Sequence, residues 1–545
     1  MQRFATIAGI ASLLMMMAVM PWWNQGMSIA SFGIMGAWLL HRINDTRAGI
    51  PLMQQWPEKH LLLFAALFAL PLYGLLFTQN FSYAGWDLRM KLPLLLMPIG
   101  IAGLHGITPA VQRAAWFTFI ASCTIAAFMC MLVYTGHYNS LALAFGWKQH
   151  AVRDGRDASI FISHIRFGLM IVLSISALAW MRLHSPIALT VRVVGILVLT
   201  SCLWLLQSVT SFALLGGLLL FFTARLLFTA ARPLTKALAA GGFVLTLAVP
   251  GIYIYQKAHA YFHVNEEERN APLEAYSARG EAYIHFPENT LVENGHYVLR
   301  YIAWSELKET WNARSTVPFD STDALGNPIK GTLVRYLTSL GLRKDALGVE
   351  QLTSGDIQHI QNGVTNARRL QMNGLDKRLE RLFFEWNSFQ NNADPNGHSM
   401  IQRWLFWKAA WSIWQQHPWT GTGTGDVPDA FDHYYTSTHS LLEEKNRLRA
   451  HNQYLTMLLT YGIPGFVVFC WILWRIWRRS YKAPMAACTL LMVLGSFLSE
   501  DTLETQAGVA IVAVFTAWTL LHPTGGTLFR EEFPSRHRAS DEPLQ

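Results

Sequence analysis

Residues 447–465 read RLRAHNQYLTMLLTYGIPG and run directly into Phe466–Leu473, FVVFCWIL. Charged side chains therefore crowd the entry of an apolar segment long enough to cross a bilayer core, which takes about 20 helical residues. Ionisable groups at such a depth are costly, so a cluster there points to function. Arg447 and His451 stand four apart and share a face if the helix begins this early. Gly462 and Gly465 read as packing glycines.

The rest of the chain agrees with this reading. Of 545 residues, 52% are hydrophobic and 14% charged, where soluble proteins have about 25% charged residues. This composition excludes a disordered chain, a secreted disulfide scaffold and a cytosolic enzyme. The net charge of +8 does not indicate nucleic acid, because the basic residues sit in short loops between apolar runs. All five cysteines (Cys123, Cys130, Cys202, Cys470 and Cys488) lie in apolar segments, so no disulfide framework or thiolate metal site is expected. Phe4–Met20 reads as a retained first span, since no small-x-small cleavage site precedes Pro21-Trp22-Trp23.

Twelve apolar runs are candidate spans: 4–20, 26–40, 60–78, 92–105, 114–135, 160–180, 187–206, 209–228, 237–255, 453–474, 484–499 and 507–522. With a cytoplasmic N-terminus, the inner loops hold 17 basic residues and the short outer loops hold five: Arg89, Lys91, Lys148, Arg153 and Arg156. That bias places both termini inside. The segment 256–450 then lies outside, with 20 Lys+Arg against 23 Asp+Glu. The expected organisation is a membrane bundle of about nine spans over 1–255, a mostly helical outer loop domain with an interfacial helix over 256–450, about three further spans over 451–522, and a cytoplasmic tail over 523–545. The fold class expected is an all-α polytopic membrane protein of about 12 transmembrane helices.

Three more segments carry candidate chemistry. In Ser399–Asp426, SMIQRWLFWKAAWSIWQQHPWTGTGTGD, four tryptophans (Trp404, Trp407, Trp411, Trp414) recur at helical spacing. They would form an indole face suited to the membrane–water interface. Arg403 flanks that face, well placed for a lipid phosphate. Gly421, Gly423 and Gly425 follow, with backbone amides free to approach an anion. In Ser163–Leu169, SHIRFGL, Arg166 lies about 9 Å below the outer end of a span, where an Arg usually faces the bundle interior and has a partner. In Ser499–Gly508, SEDTLETQAG, Glu500 and Glu504 share a face with Asp501 adjacent, ready to orient His451 or pair with an Arg. The structural alternatives are an interfacial helix, an ion pair and a solvated loop. No Asp-x-Asp and no nucleotide-phosphate loop occurs, so no metal or cofactor is expected.

Arg449-Ala-His451-Asn452-Gln-Tyr-Leu455 followed by Gly462-Ile-Pro-Gly465, and Arg403 in Arg-x-x-x-Trp-x-x-Ala before His417-Pro418 and Gly421-Thr-Gly423, resemble the signature of the O-antigen ligase/polymerase superfamily. The SHIRFGL and EDTLETQAG runs look like the version in Bacteroidetes-type members. Many members carry an Arg where this chain has Gln207-Ser-Val-Thr210-Ser211-Phe. The resemblance implies a GT-C-like, metal-independent, inverting glycosyltransferase in the bacterial inner membrane. Its donor would be a polyprenyl (undecaprenyl) diphosphate-linked glycan. Its acceptor, at the periplasmic face, would be lipid A-core or a similar glycan. On that footing His451, Arg403 and Arg166 are the expected catalytic residues. Arg449, Arg447, Asn452, Trp407, Glu500 and Asp501 are the expected substrate-binding ones. Membrane lipids are expected partners, nucleic acid is not, and a monomer is expected. The competing readings are a polysaccharide polymerase or protein O-oligosaccharyltransferase of the same superfamily and, more distantly, a transporter. Against a transporter, no paired Gly/Pro-broken spans occupy matching halves.

Overall fold

A computed structural model describes residues 2–49, 59–146, 148–150, 155–182, 185–391, 394–524 and 527–529. Most of the expected 523–545 tail, and Arg153, Arg530, Arg536 and Arg538 of the charge bias, lie outside the described residues. The chain divides into two compact units, Met1–Thr246 with Arg403–Gln545, and Leu247–Gln402.

The expected all-α, GT-C-like bundle of about twelve transmembrane helices is corrected by the structure. The fold is mostly helical, but among the described residues six helices are long and apolar enough to cross a membrane: Gln2–Val19, Pro109–Tyr134, Pro186–Leu205, Val209–Thr229, the helix beginning at Pro233, and Gln453–Ser480. Apolar run length overestimated helix length for identifiable reasons. The run at 60–78 alternates α and 3₁₀ turns through Lys59–Ala65, Ala66–Phe68, Ala69–Gly74 and Leu75–Phe77. Pro93–Ala102 has 10 residues, about 15 Å of helix. His164–Trp180, Pro484–Ser499 and Gln506–Leu521 reach 17, 16 and 16 residues. Asn24–Arg47 is long but carries His41, Arg42, Asp45 and Arg47.

Those three short apolar helices form the centre of the first unit. Every residue from Ala507 to Thr519 is buried. Three of the long helices, Pro186–Leu205, Val209–Thr229 and the one beginning at Pro233, do the reverse and present apolar side chains outward, with Ile187, Phe228 and Leu234 exposed by 77%, 83% and 69%. An apolar surface of that extent is unfavourable against water and suits lipid.

The Gln453–Ser480 helix is broken at Gly462, whose φ of 62° and ψ of −172° are non-helical. Pro464 cannot donate to the helix ladder. The interrupted backbone groups are taken by the Pro418–Gly425 loop: Thr422 N–H donates to Leu459 O (2.9 Å), Gly423 N–H to Thr460 O (3.0 Å), and Ile463 N–H to Pro418 O (2.9 Å). A Cβ on Gly462 would stand 2.3 Å from Trp419 O, so only glycine fits this close approach.

The second unit is built on Trp304–Arg314, Ile329–Ser339, Ala346–Glu350, Ser354–Gln361 and Gly374–Gln390. Its core gathers Ile302, Leu307, Trp311, Leu333, Leu337 and Ile360. Asn294-Gly295, both at positive φ, turn an antiparallel ribbon that pairs Val292 with Tyr297 and Glu293 with His296, as the twist of a two-residue hairpin requires.

Candidate functional site

The candidate site forms where the Pro484–Ser499 helix ends and the chain turns through Glu500–Thr505 into the last helix. Glu500 is buried, and three groups converge on its carboxylate. Arg403 Nη2 stands 2.5 Å from Oε1 and Arg166 Nη1 3.2 Å from Oε2. His451 Nδ1 stands 3.5 Å from Oε2, at the long limit of a hydrogen bond. Arg166 Nε also donates to Thr505 Oγ1 at 3.3 Å. Burial opposes the Glu500 charge, but the facing His451, Arg403 and Arg166 outweigh it and hold the pKa at about 2. Two guanidiniums around one carboxylate leave local positive charge in excess. The Arg403 and His451 side chains are 31% and 32% exposed, so that charge remains reachable from outside.

A second carboxylate, Glu504, lies four residues along. Glu504 accepts from Arg449 Nη1 at 2.9 Å and from Lys91 Nζ at 2.9 Å, and Lys91 also pairs with Asp87 at 2.9 Å. Gln453 Nε2 donates to Glu504 Oε1 at 3.3 Å. Burial disfavours the Glu504 charge, yet Lys91 and Arg449 hold its pKa well below the usual carboxylate range. Burial likewise disfavours the Lys91 charge, but Asp87 and Glu504 raise its pKa. Arg449 also lies over the Tyr83 ring at 5.6 Å.

The acid between them serves the backbone. Asp501 Oδ2 accepts the His451 N–H (2.9 Å), and Oδ1 accepts the Asn452 N–H (3.0 Å) and Thr456 Oγ1–H (2.7 Å). This clamp holds His451 at a φ of 47°, a left-handed conformation that costs a non-glycine residue roughly 1–3 kcal/mol. Asp501 also places negative charge at the start of the Gln453–Ser480 helix. Its pKa is raised by burial and by Glu504.

Arg166, Arg403 and His451 thus meet at one carboxylate, and Arg449 at its neighbour. Among the described residues, Arg447, Asn452 and Trp407 make no hydrogen bond or ion pair with Glu500. Arg447 Nε donates to Leu442 O at 3.0 Å. Asn452 caps the helix, accepting from Leu455 N–H at 3.1 Å and donating to Leu498 O at 3.1 Å. Trp407 lies half-buried on the Arg403 helix, with an indole N–H that finds no partner among the described residues. The glycine amides expected to face an anion are spent: besides the two that seal the helix break, Gly421 N–H donates to His417 O and Thr424 N–H to Gly74 O, and Gly425 N–H to Thr78 Oγ1.

Sequence reading missed Lys91 and Asp87. Lys91 was counted as a loop charge, although the Asp87-x-x-x-Lys91 spacing beside an apolar run is a legible i,i+4 pair. It also passed over His259 and His263, a His-x-x-x-His pair whose rings stack at 4.6 Å. Among the described residues, no group of three or more His, Cys, Asp or Glu is arranged to hold a metal ion. Within the Gln207–Phe212 stretch, Ser208 and Ser211 bond each other at 2.7 Å. A Cβ on Gly168 would meet Ser211 Oγ at 2.1 Å, so that stretch packs tightly on the helix that carries Arg166.

Residues 367–470 match the family described as O-antigen ligase. The match takes in Arg403, Arg449 and His451, and it supports membership in this ligase/polymerase superfamily at a level coarser than the Bacteroidetes-type version. No curated protein matches the chain.

Proposed function

We propose that this chain is a metal-independent, inverting glycosyltransferase of the O-antigen ligase type. It would move a glycan from an undecaprenyl diphosphate donor to lipid A-core or a similar acceptor at the periplasmic face of the inner membrane. The observation that carries the reading is the excess of reachable cationic groups around Glu500. The family match over 367–470 agrees with it.

The chemistry asks little more of the protein. A diphosphate is a stable anion, so no general acid is needed for its departure. Fixed guanidiniums that stabilise charge developing on the leaving oxygen replace a metal in that role. Arg403 and Arg166 are assigned to this clamp, with Arg449 in support. His451 presents Nδ1 to Glu500, which leaves Nε2 to accept the proton of the acceptor hydroxyl. The hydroxyl oxygen bonds the anomeric carbon as the carbon–diphosphate bond breaks, which inverts that carbon. Asp501 and Asn452 act as positioning residues through the backbone of His451.

The test is glycan transfer by purified protein in chelator. Arg403→Ala should lower the rate by about 10²–10³-fold, the usual range for loss of a transition-state donor, and His451→Ala by about 10²–10⁴-fold, the range for loss of a general base, each with membrane abundance near that of the native chain. Near-native transfer by Arg403→Ala, or a strict requirement for added Mg²⁺, would sink the assignment. Single cysteines placed in 256–402 should react with an impermeant thiol reagent from the periplasmic side, and cysteines at 475–482 should not. The reverse pattern would put His451 in the cytoplasm.

A further inference from the structure

The first unit contains a cavity of about 610 Å³ whose lining includes none of the cationic cluster. It opens beside the C-terminal end of the Ser399–Gln416 helix, between the 77–80 turn and the Val427–Ser437 helix. Phe77, Asn80, His417, Asp429, His433 and Tyr434 line it, and its described lining contains no Lys or Arg.

Its walls are set by tertiary hydrogen bonds. Asp426 accepts the backbone N–H groups of Gln79 (2.7 Å) and Asn80 (2.6 Å), and Asp429 accepts from Asn80 Nδ2 (2.9 Å). Thr424 Oγ1 donates to Pro71 O at 2.7 Å, anchoring the loop that forms the floor. Among the described residues, the donors that meet both aspartates are amides. A phosphate or a uronate entering here would face like charge with no Lys or Arg of the described lining to offset it. A neutral or amino-bearing sugar meets the opposite situation. Carboxylate, imidazole and amide groups match its hydroxyls or ammonium, and the Tyr434 and Phe77 rings match its C–H faces. The volume lies within the roughly 300–1,000 Å³ range of small-ligand sites and suits a di- or trisaccharide.

We infer that this cavity is a subsite for neutral or amino-bearing sugar units of a glycan substrate, separate from the diphosphate clamp. The inference rests on the glycosyltransferase reading above and names the sugar chemistry it selects. From Arg403 to Gln416 the connecting helix spans about 20 Å, so the subsite would hold sugars several units from the reacting bond.

The experiment uses the purified full-length chain in detergent with three probes: chitotriose (neutral), chitosan trimer (cationic) and trigalacturonate (anionic). Binding is read by saturation-transfer NMR. Chitotriose and chitosan trimer should bind, at least tenfold more tightly than trigalacturonate. Asp429→Ala and Tyr434→Ala should weaken that binding tenfold or more, whereas Arg403→Ala should leave it unchanged. Asp429 is exposed, so its variant should keep the native melting temperature. In transfer assays Asp429→Ala should raise KM for one substrate about tenfold with kcat retained. A rise in the donor KM assigns the sugars to the donor, and a rise in the acceptor KM assigns them to the acceptor.

Equal binding of trigalacturonate, binding indifferent to both variants, no binding of any probe, or a loss confined to kcat would overturn the inference. The diphosphate reading fails separately, through intact transfer by Arg403→Ala, and the sugar-binding result would stand without it.

Discussion

Two buried charge clusters in this chain have opposite stoichiometry. Around Glu500 one carboxylate faces Arg403, Arg166 and His451. In the second unit one guanidinium, Arg335, faces two carboxylates, Glu293 at 2.9 Å and Glu380 at 3.5 Å. Arg335 also lies 3.5 Å over the Phe384 ring, while Glu293 accepts Asn366 Nδ2 at 2.8 Å. The Arg335 cluster consumes its cation completely and ties the ribbon to two helices. The Glu500 cluster leaves cationic edges open. The difference separates an ion pair with no cation to spare from a cluster with open cationic edges, the feature on which the proposed diphosphate clamp rests, although both use Arg and Glu at similar distances.

The largest effect expected from breaking this comparison is on stability in the second unit. Arg335→Met strands two buried carboxylates, which should cost about 3–5 kcal/mol. Hydrogen exchange in the Ile329–Ser339 helix should rise accordingly. Protection equal to the native chain would show that Arg335 is not structural.

Arg403→Lys should behave in the contrary way. A point charge cannot make the bidentate phosphate contact of a guanidinium, so transfer should fall by about 10²-fold while the melting temperature changes little. A variant that melts early and transfers normally per folded molecule would put Arg403 in the same structural class as Arg335.

A smaller effect concerns pH, and its sign differs between the clusters. The Glu380 carboxyl is raised from 4.5 to about 7, by burial first and by the neighbouring Glu293 second. The fold therefore favours its neutral form, and this contribution to stability is full below 4.5 and lost as pH rises through about 7. Glu500, lowered from 4.5 to about 2, is favoured as the anion. Its contribution is full above 4.5 and lost as pH falls through about 2. Melting curves from pH 3 to 8 should show Glu380→Gln flattening the neutral limb and Glu500→Gln flattening the acid limb. Exchanged effects would reject the assignment.

The smallest change expected is at Glu274, which pairs with Arg343 on the exposed surface of the second unit. Glu274→Ala should cost less than about 1 kcal/mol, as chemical denaturation can check. A larger loss would mean that exposed pairs matter here as much as buried ones.

Local sequence carried part of the site. Arg403 stood out because it flanks an indole stripe, Arg166 because it interrupts an apolar helix, and His451 because it opens one. Each of these is a conflict between a residue and its immediate surroundings, which is visible without a fold. Nothing nearby in the chain shows that Asp501 accepts the backbone N–H groups of His451 and Asn452 and the Thr456 hydroxyl. Lys91 read as a loop charge because its partner Glu504 is remote in sequence.

The amino-acid sequence by itself determined the apolar composition, the places where charge enters apolar segments and the helical character of most of the chain. Those properties depend on neighbours within one or two turns. Only the tertiary structure decided which apolar runs become long helices, that the glycine loop seals the break at Gly462, and that two arginines share Glu500. The last two outcomes each satisfy a buried hydrogen bond or charge on one segment with a group tens to hundreds of residues away, and burial makes such satisfaction obligatory.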